Sequence, residues 1–340
     1  MMKSSFGQTL RVTVWGESHA PSVGVAVSGF PAGYRVDKDA LAAFMSRRAP
    51  GRDAFSTARR EDDIPEFTSG VENGVTTGGE IKAEIVNRDV RSSDYDNLKN
   101  VPRPSHADYA ARVKYGDGYN MAGGGPFSGR MTAPLCVAGA LAIGLLSKNG
   151  ITVHAEPVEI GGVSGDPDAM KEAIAKAKAD GDSVGGIVGC RVDGLPAGIG
   201  GPLFDGMEGL IASAVFAIPA VKGIEFGAGF ASSRMRGSEN NDPFTVKDGK
   251  IITAKNDHGG ILGGITSGMP LVFRAAFKPT PSIAKEQDSV DLSTGENVKL
   301  TVRGRHDPCV VLRAAPAVES ACAIAVLDAL FTDGRILKTE

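Results

Sequence analysis

Cysteine is scarce in this 340-residue chain, and no two of its four cysteines form a CxxC pair. Cys136, Cys190, Cys309 and Cys322 have largely apolar neighbours. That excludes a disulfide frame or a cysteine zinc site and leads us to expect buried thiols in a reducing compartment. Long apolar runs are scarce too. The longest, Ala133 to Leu146, contains Pro134 and two glycines and is too short to span a bilayer. Met1 to Leu10 lacks the apolar stretch of a secretion signal, so a cytoplasmic location and no membrane partner are expected. Neither sign of charge is in large excess: the formal net charge is −3 and the pI about 6.0. This argues against bulk binding to nucleic acid or to a membrane surface. Several catalytic signatures are also missing. There is no HxH or HxxxH for a metal, no GxSxG elbow, and no Gly-Lys-Ser/Thr after the glycine run at 123–125. The segment Gly227-Ala-Gly-Phe-Ala-Ser232 lacks the third glycine of a dinucleotide fingerprint. No metal is expected, and a serine hydrolase, a P-loop enzyme and a Rossmann dehydrogenase are all disfavoured.

Hydrophobic residues make up 42% and charged residues 23%, the balance of a globular chain large enough for one big domain or two ordinary ones. Glycine is the outlier at 45 residues, about twice the usual share. Alternating or β-branched runs predict strands at 10–15, 23–28, 80–87, 151–160, 184–192, 223–227, 270–277 and 298–303. Helical spacing predicts helices at 39–48, 107–115, 131–147, 167–179, 207–216 and 316–331. The mixture implies an α/β, or α+β layered, architecture. One stretch occurs twice. Val25-Ala-Val-Ser-Gly-Phe-Pro-Ala-Gly33 is echoed by Cys190-Arg-Val-Asp-Gly-Leu-Pro-Ala-Gly198, and each precedes a helix. The echo leads us to expect one domain of two repeated halves, about 10–150 and 151–335. Two glycine-rich polar stretches, Ala49–Gly79 and Ala231–Gly264, are long enough to be functional loops.

Four of the five histidines sit in short polar motifs. These are Gly-Glu-Ser-His at 16–19, Arg-Pro-Ser-His-Ala-Asp at 103–108, Asn-Asp-His-Gly-Gly at 256–260 and Arg-His-Asp at 305–307. Histidine beside hydroxyl, carboxylate and guanidinium groups suits acid–base work on an anion. His154, by contrast, lies in an apolar strand and reads as a core or edge residue. Arg47, Arg48, Arg52, Arg59 and Arg60 fall within 14 residues. Their forks suit carboxylates and phosphates, but Glu61, Asp62 and Asp63 could equally make them a neutralised surface. The run Gly123-Gly-Gly-Pro-Phe-Ser-Gly-Arg130 offers amides, Ser128 and Arg130 to an anion at a helix start. Lys278-Pro-Thr-Pro-Ser282 places further donors on a stiff loop.

Together these pieces resemble chorismate synthase. The likeness runs from about Phe6 to Leu330. It rests on Phe6-Gly-Gln, Gly16-Glu-Ser-His19, Arg103-Pro-Ser-His-Ala-Asp-Tyr109, Lys114-Tyr-Gly116, Val221-Lys-Gly-Ile-Glu225, Asn256-x-x-Gly-Gly-Ile-Leu-Gly-Gly264, Lys278-Pro-Thr-Pro-Ser282 and Arg305-His-Asp-Pro-Cys309. The resemblance implies a β-α-β sandwich with internal duplication, assembled as a homotetramer. It implies anti-1,4-elimination of phosphate from 5-enolpyruvylshikimate 3-phosphate to give chorismate, needing reduced FMN without net redox change. An external flavin reductase or other reductant, NADP-linked, would keep the flavin reduced. By resemblance, Arg48, Arg103, Arg130 and Arg305 bind substrate, His19 serves the leaving phosphate, and His106 meets the flavin. Asp307 is the candidate base, and Ser18 and Ser128 assist proton relay. The flavin site would draw on Ser128, Pro219, Ala220, Gly263, Lys278, Pro279, Thr280, Pro281, Ser282 and Arg305. His306 and His258 are left to structural roles. The chain departs from the family pattern at Ala20, Ala54, Pro126, Phe127 and Met131. The last three put flavin binding in question, so a ligand-binding member with impaired catalysis is the alternative.

Overall fold

The computed structural model describes residues 3–51, 61–88, 98–116, 122–304 and 306–340. The first half begins with strands β1 (Lys3–Phe6), β2 (Arg11–Gly16) and β3 (Ser22–Ser28), then helix α1 (Lys38–Arg48). Strand β4 (Glu66–Ser69), the small hairpin β5 (Val71–Glu72) and β6 (Val75–Thr76), and β7 (Ile81–Val86) follow. Helices α2 (Asp108–Tyr115) and α3 (Thr132–Lys148) close this half. The second half runs β8 (Thr152–Ile160), β9 (Val163–Ser164), α4 (Pro167–Ala179), β10 (Gly186–Asp193), α5 (Met207–Phe216) and β11 (Val221–Phe226). Then come α6 (Gly237–Asn240), hairpin β12 (Phe244–Lys247) and β13 (Lys250–Thr253), and hairpin β14 (Ile261–Leu262) and β15 (Ile265–Thr266). Strand β16 (Leu271–Phe277), hairpin β17 (Gln287–Asp291) and β18 (Glu296–Leu300), and helix α7 (Val311–Thr332) complete it.

Two antiparallel five-stranded sheets enclose a helical layer, the β-α-β sandwich of an α/β chain. One sheet has the order β1-β2-β3-β7-β4 and the other β11-β16-β10-β8-β9. Helix α3 packs on β2, β3 and β7 and against α7, which packs in turn on β8 and β10. The strand faces that meet the helices are apolar at alternate residues, as in β7, where Ile81, Ala83 and Ile85 are buried. Helix α7 is buried almost all round, which is why its apolar sequence shows little amphipathic stripe. It and the segment Gly129–Lys148 are long and apolar enough to cross a membrane by length and composition, but α7 is the core of the sandwich.

The two halves share a hydrogen-bonding pattern. In the first, Thr76 Oγ1 donates to Pro31 O (2.6 Å) and accepts from Tyr34 N (3.0 Å). In the second, Thr266 Oγ1 donates to Pro196 O (2.6 Å) and accepts from Ile199 N (2.9 Å). Gly33 N bonds Thr76 O and Gly198 N bonds Thr266 O, both at 2.9 Å. In each half the strand–Gly-x-Pro-Ala-Gly turn is thus stapled to a two-residue hairpin by one threonine.

The N-terminal hairpin is fixed by a single carboxylate. Asp328 of α7, 2% exposed, accepts from Gln8 N (3.0 Å), Thr9 N (2.8 Å) and Leu10 N (2.8 Å). Asp328→Ala leaves these amides without their acceptor. It is expected to cost about 2–4 kcal/mol, read as a lower urea midpoint at unchanged slope.

Candidate functional site

The turn after β2 carries Ser18 and His19. It needs glycine at its start: Gly16 has φ 114°, and a Cβ there would lie 2.9 Å from Val23 Cα. Ser18 is buried, and its amide donates to Gly125 O at 3.1 Å. This seats the turn on the glycine run, where Gly123, Gly124 and Gly125 all have positive φ. A Cβ on Gly123 would meet His19 Nε2 at 2.6 Å and Ser18 Oγ at 2.8 Å. One on Gly124 would meet His106 Nε2 at 3.2 Å. Two histidines that are 87 residues apart in sequence therefore face adjacent glycines.

Three arginines close on the same place, each held differently. Arg48 is 1% exposed and all three of its nitrogens are engaged. Nε donates to Thr132 Oγ1 (3.0 Å), Nη2 to Gly129 O (3.0 Å), and Nη1 pairs with Asp63. Arg130 pairs with the other oxygen of Asp63 and donates from Nε to Asn87 Oδ1 (2.8 Å). Its Nη2 is buried with no partner. Burial raises the Asp63 pKa, but the two guanidinium groups outweigh it and hold the carboxyl below its usual range. Burial also lowers Arg130, which Asp63 partly offsets. Arg103 donates from Nε to Asp108 Oδ2 and from Nη2 to Oδ1, both at 2.8 Å, and from Nη1 to Ser282 Oγ at 3.1 Å.

These groups line one cavity of about 370 Å³ together with His106, Ser128, Pro219, Ala220 and Lys278. Ser128 caps the following turn, accepting from Arg130 N at 3.2 Å. Lys278 is lowered by burial and by the positive charges of Lys222 and Arg103, so its surroundings are both dry and cationic. Asp307 also lines the cavity and is gripped by Arg313, whose Nε lies 3.2 Å from Oδ1 and whose Nη2 pairs with Oδ2. Thr280 Oγ1 donates to Asp307 O (2.7 Å), which ties the Lys278–Ser282 loop to the start of α7. Strain gathers here. Asp63, Ser105 and Ala220 are three of the six non-glycine residues with positive φ among those described.

The structure brings together Ser18, Arg48, Arg103, His106, Ser128, Arg130, Pro219, Ala220, Lys278, Thr280, Pro281, Ser282 and Asp307, while His19 lies beside Ser18 against Gly123 without being one of the cavity's lining residues. Pro279 belongs to the same loop but is not among the cavity's lining residues. Gly263 is not brought in; it turns the β14–β15 hairpin and does not line the cavity. Arg305 lies outside the described residues, as do Arg52, Ala54, Arg59 and Arg60. His306 bonds Arg303 O (3.0 Å) while also lining the cavity. His258 lies between Asp242 and Ser267, with Nε2 2.9 Å from Ser267 Oγ, and orders its loop; none of the three lines the cavity. His154 is not a core residue: its side chain is 67% exposed, 3.5 Å from Glu319.

Asp63, Asp108 and Arg313 were not expected from the sequence as site residues. Asp108 lay within a motif already singled out, and Asp63 within a run read only as neutralising charge. Of the departures from the family pattern, two face away from this cavity and one borders it. Pro126 and Met131 line a second, apolar cavity of about 360 Å³ with Val12, Val14 and Leu135. Phe127 borders both cavities.

The family profile described as chorismate synthase matches residues 10–331. A chorismate synthase of Korarchaeum cryptofilum (strain OPF8) is 49% identical over 347 residues, covering 95% of this chain and 96% of that protein. One of Thermococcus kodakarensis is 47% identical over 344 residues, covering 95% and 96%. One of Lancefieldella parvula is 42% identical over 370 residues, covering 98% and 97%. A solved structure titled "Crystal Structure of Chorismate Synthase" superposes with a TM-score of 0.73 at 24% identity, covering 96% of this chain and 93% of that one. It shares the fold.

Proposed function

This chain belongs to the chorismate synthase family, and we propose that it is a carbon–oxygen lyase that eliminates phosphate from 5-enolpyruvylshikimate 3-phosphate to give chorismate, with reduced FMN as cofactor. The observation that carries this reading is the partnerless, buried Nη2 of Arg130 in a cavity lined also by Arg48, Arg103 and Lys278. Such a site suits an anion, and the substrate carries two carboxylates and a phosphate. Arg130 would bind it through Nη2, while Arg48 and Arg103, each nitrogen already held by a protein group, would bring their charge and the second N–H of each Nη to the same anion. His19 stands beside Ser18, where its proton can neutralise the leaving phosphate as the C–O bond breaks. Asp307, oriented by Arg313, is the carboxylate available to the ring proton. Ser18 and Ser128 supply hydroxyls for relay.

The residues present fit FMN. Lys278 lines the cavity where its charge has no nearby carboxylate among the groups that perturb it, and Ser128 and Thr280 line the same cavity with hydroxyls. His106, Ser128, Pro219, Ala220 and the Lys278–Ser282 loop would hold it, with Arg305 as a further candidate. Reduced FMN, when bound, supplies electron density to the substrate ring. We read the two halves as a duplicated unit and the protein as a cytoplasmic homotetramer. An external, NADP-linked flavin reductase would supply reducing equivalents. The reading is tested by anaerobic assay with substrate and photoreduced FMN. Phosphate release is expected, and its absence at saturating ligands would overturn the assignment. Arg130→Ala should raise the substrate KM at least tenfold, by loss of a charge-assisted contact worth about 1.5–3 kcal/mol.

A further inference from the structure

We propose that Asp108 is a positioning residue that fixes the tautomer of His106, leaving Nε2 as the proton-accepting nitrogen in the cavity, and aims Arg103 with the same carboxylate. The proposal deepens the reading of this cavity as the active site. Asp108 is the first residue of α2 and is buried. Its Oδ1 lies 2.5 Å from His106 Nδ1 and 2.8 Å from Arg103 Nη2. Its Oδ2 accepts from Arg103 Nε at 2.8 Å and from Arg103 N at 2.9 Å.

The proton assignment follows from these contacts. Burial would raise the carboxyl pKa, but hydrogen bonds from Arg103 and His106 hold it far below the usual range. The carboxylate is therefore ionised and can only accept. A nitrogen 2.5 Å from an ionised oxygen must carry the hydrogen, so Nδ1 is protonated. Arg103 Nη2, 3.1 Å from Nδ1, is then a second donor to the same oxygen and not a partner of the ring. In the neutral imidazole this leaves the lone pair on Nε2, the atom that faces Gly124. This is the Asp–His logic of an oriented base. Among the described residues, the charged and titratable groups facing the ring include Arg103 and Asp108 from its own segment, Lys278, coupled to Arg103, from the end of β16, and His19 across the glycine run.

The test is 15N NMR of ring-labelled histidine in the full chain, with His106 assigned from the signals lost in His106→Gln. At pH above the His106 titration, the wild type is expected to show Nδ1 protonated and Nε2 bare. Asp108→Asn can donate to Nδ1 and should move the proton to Nε2. Its kcat for phosphate release should fall about 10²–10⁴-fold, with KM for the substrate rising as Arg103 loosens. Asp108→Glu should restore the wild-type tautomer and part of kcat. A wild-type ring protonated on Nε2, or Asp108→Asn with wild-type kcat, overturns the proposal. The wild-type spectrum decides the tautomer even if Asp108→Asn does not fold. It also stands when no chorismate forms, so failure of the assigned reaction and failure of this proposal are read separately.

Discussion

The Asp63→Asn variant is expected to lose about 3–5 kcal/mol of stability, the cost of leaving a buried ion pair half-made. Asp63 gives one carboxylate oxygen to Arg48 and the other to Arg130, and both guanidinium groups are buried. Asparagine keeps one acceptor and turns an NH2 toward the other arginine, placing two like-charged forks side by side with only the weaker charge of Glu61 acting on Arg130. Arg48 has further anchors in Thr132 and Gly129, whereas Arg130 keeps only Asn87. Arg130 should therefore move more, and the substrate KM should rise along with the loss of stability. The wild-type pH dependence has a definite sign. The folded pKa of Asp63 lies below the unfolded value of 3.8, so its contribution is full above that value. It is lost as pH falls from there through the folded pKa. Asp108 and Asp242, the latter lowered to about 2 by His258 and backbone bonds against the effect of burial, act in the same direction. Urea unfolding from pH 7 down to pH 2 should show the wild type losing stability in that acid window and Asp63→Asn losing less. Equal slopes for the two proteins would contradict this account of the clamp.

Gly123→Ala is expected to lower kcat about 100–1,000-fold while costing only about 1–2 kcal/mol of stability. Residue 123 has φ 64°, and an added Cβ would sit 2.6 Å from His19 Nε2 and 2.8 Å from Ser18 Oγ. A backbone amide fixes Ser18 to Gly125, so the Ser18–His19 turn cannot retreat as a flexible tip would. The imidazole must rotate away from Gly123, and a misplacement of about an ångström suffices for a loss of this size. Gly237→Ala on α6 is the control, since a Cβ there meets nothing within 4 Å. Steady-state kinetics and denaturant midpoints of both variants make the comparison. A Gly123→Ala enzyme with wild-type kcat would show that His19 does not act from this position.

The sequence showed the sandwich where hydrophobic period and length agreed. Strands β2, β3, β7, β8, β10, β11 and β16 and helices α1 to α5 coincide with runs that alternate or repeat at helical spacing. Hairpins β5–β6 and β14–β15 were missed because two-residue strands have no period to detect. Hairpin β12–β13 carries Phe244, Val246 and Ile251 exposed on strands outside both main sheets, so burial gives it no signature. Helix α7 begins at Val311, not at Pro316. Proline is a sound marker for a first helical turn, but here packing on every side carries the helix past it. At the site, histidines and arginines were conspicuous by type. The carboxylates that hold them were not. Asp63 looked like one of three neighbouring surface acids, and only the fold reveals that it alone enters between Arg48 and Arg130. Arg48 and Arg103, expected to touch substrate, both have every nitrogen held by a protein group, and of the three arginines only Arg130 has a buried nitrogen without a partner.

An anaerobic single-turnover measurement with substrate and stoichiometric photoreduced FMN tests the central claim most directly. Phosphate and chorismate should appear in equal amounts, and the flavin should be recovered fully reduced at the end. Oxidised flavin accumulating in step with product, or phosphate released without chorismate, would contradict an elimination without net redox change at this cavity.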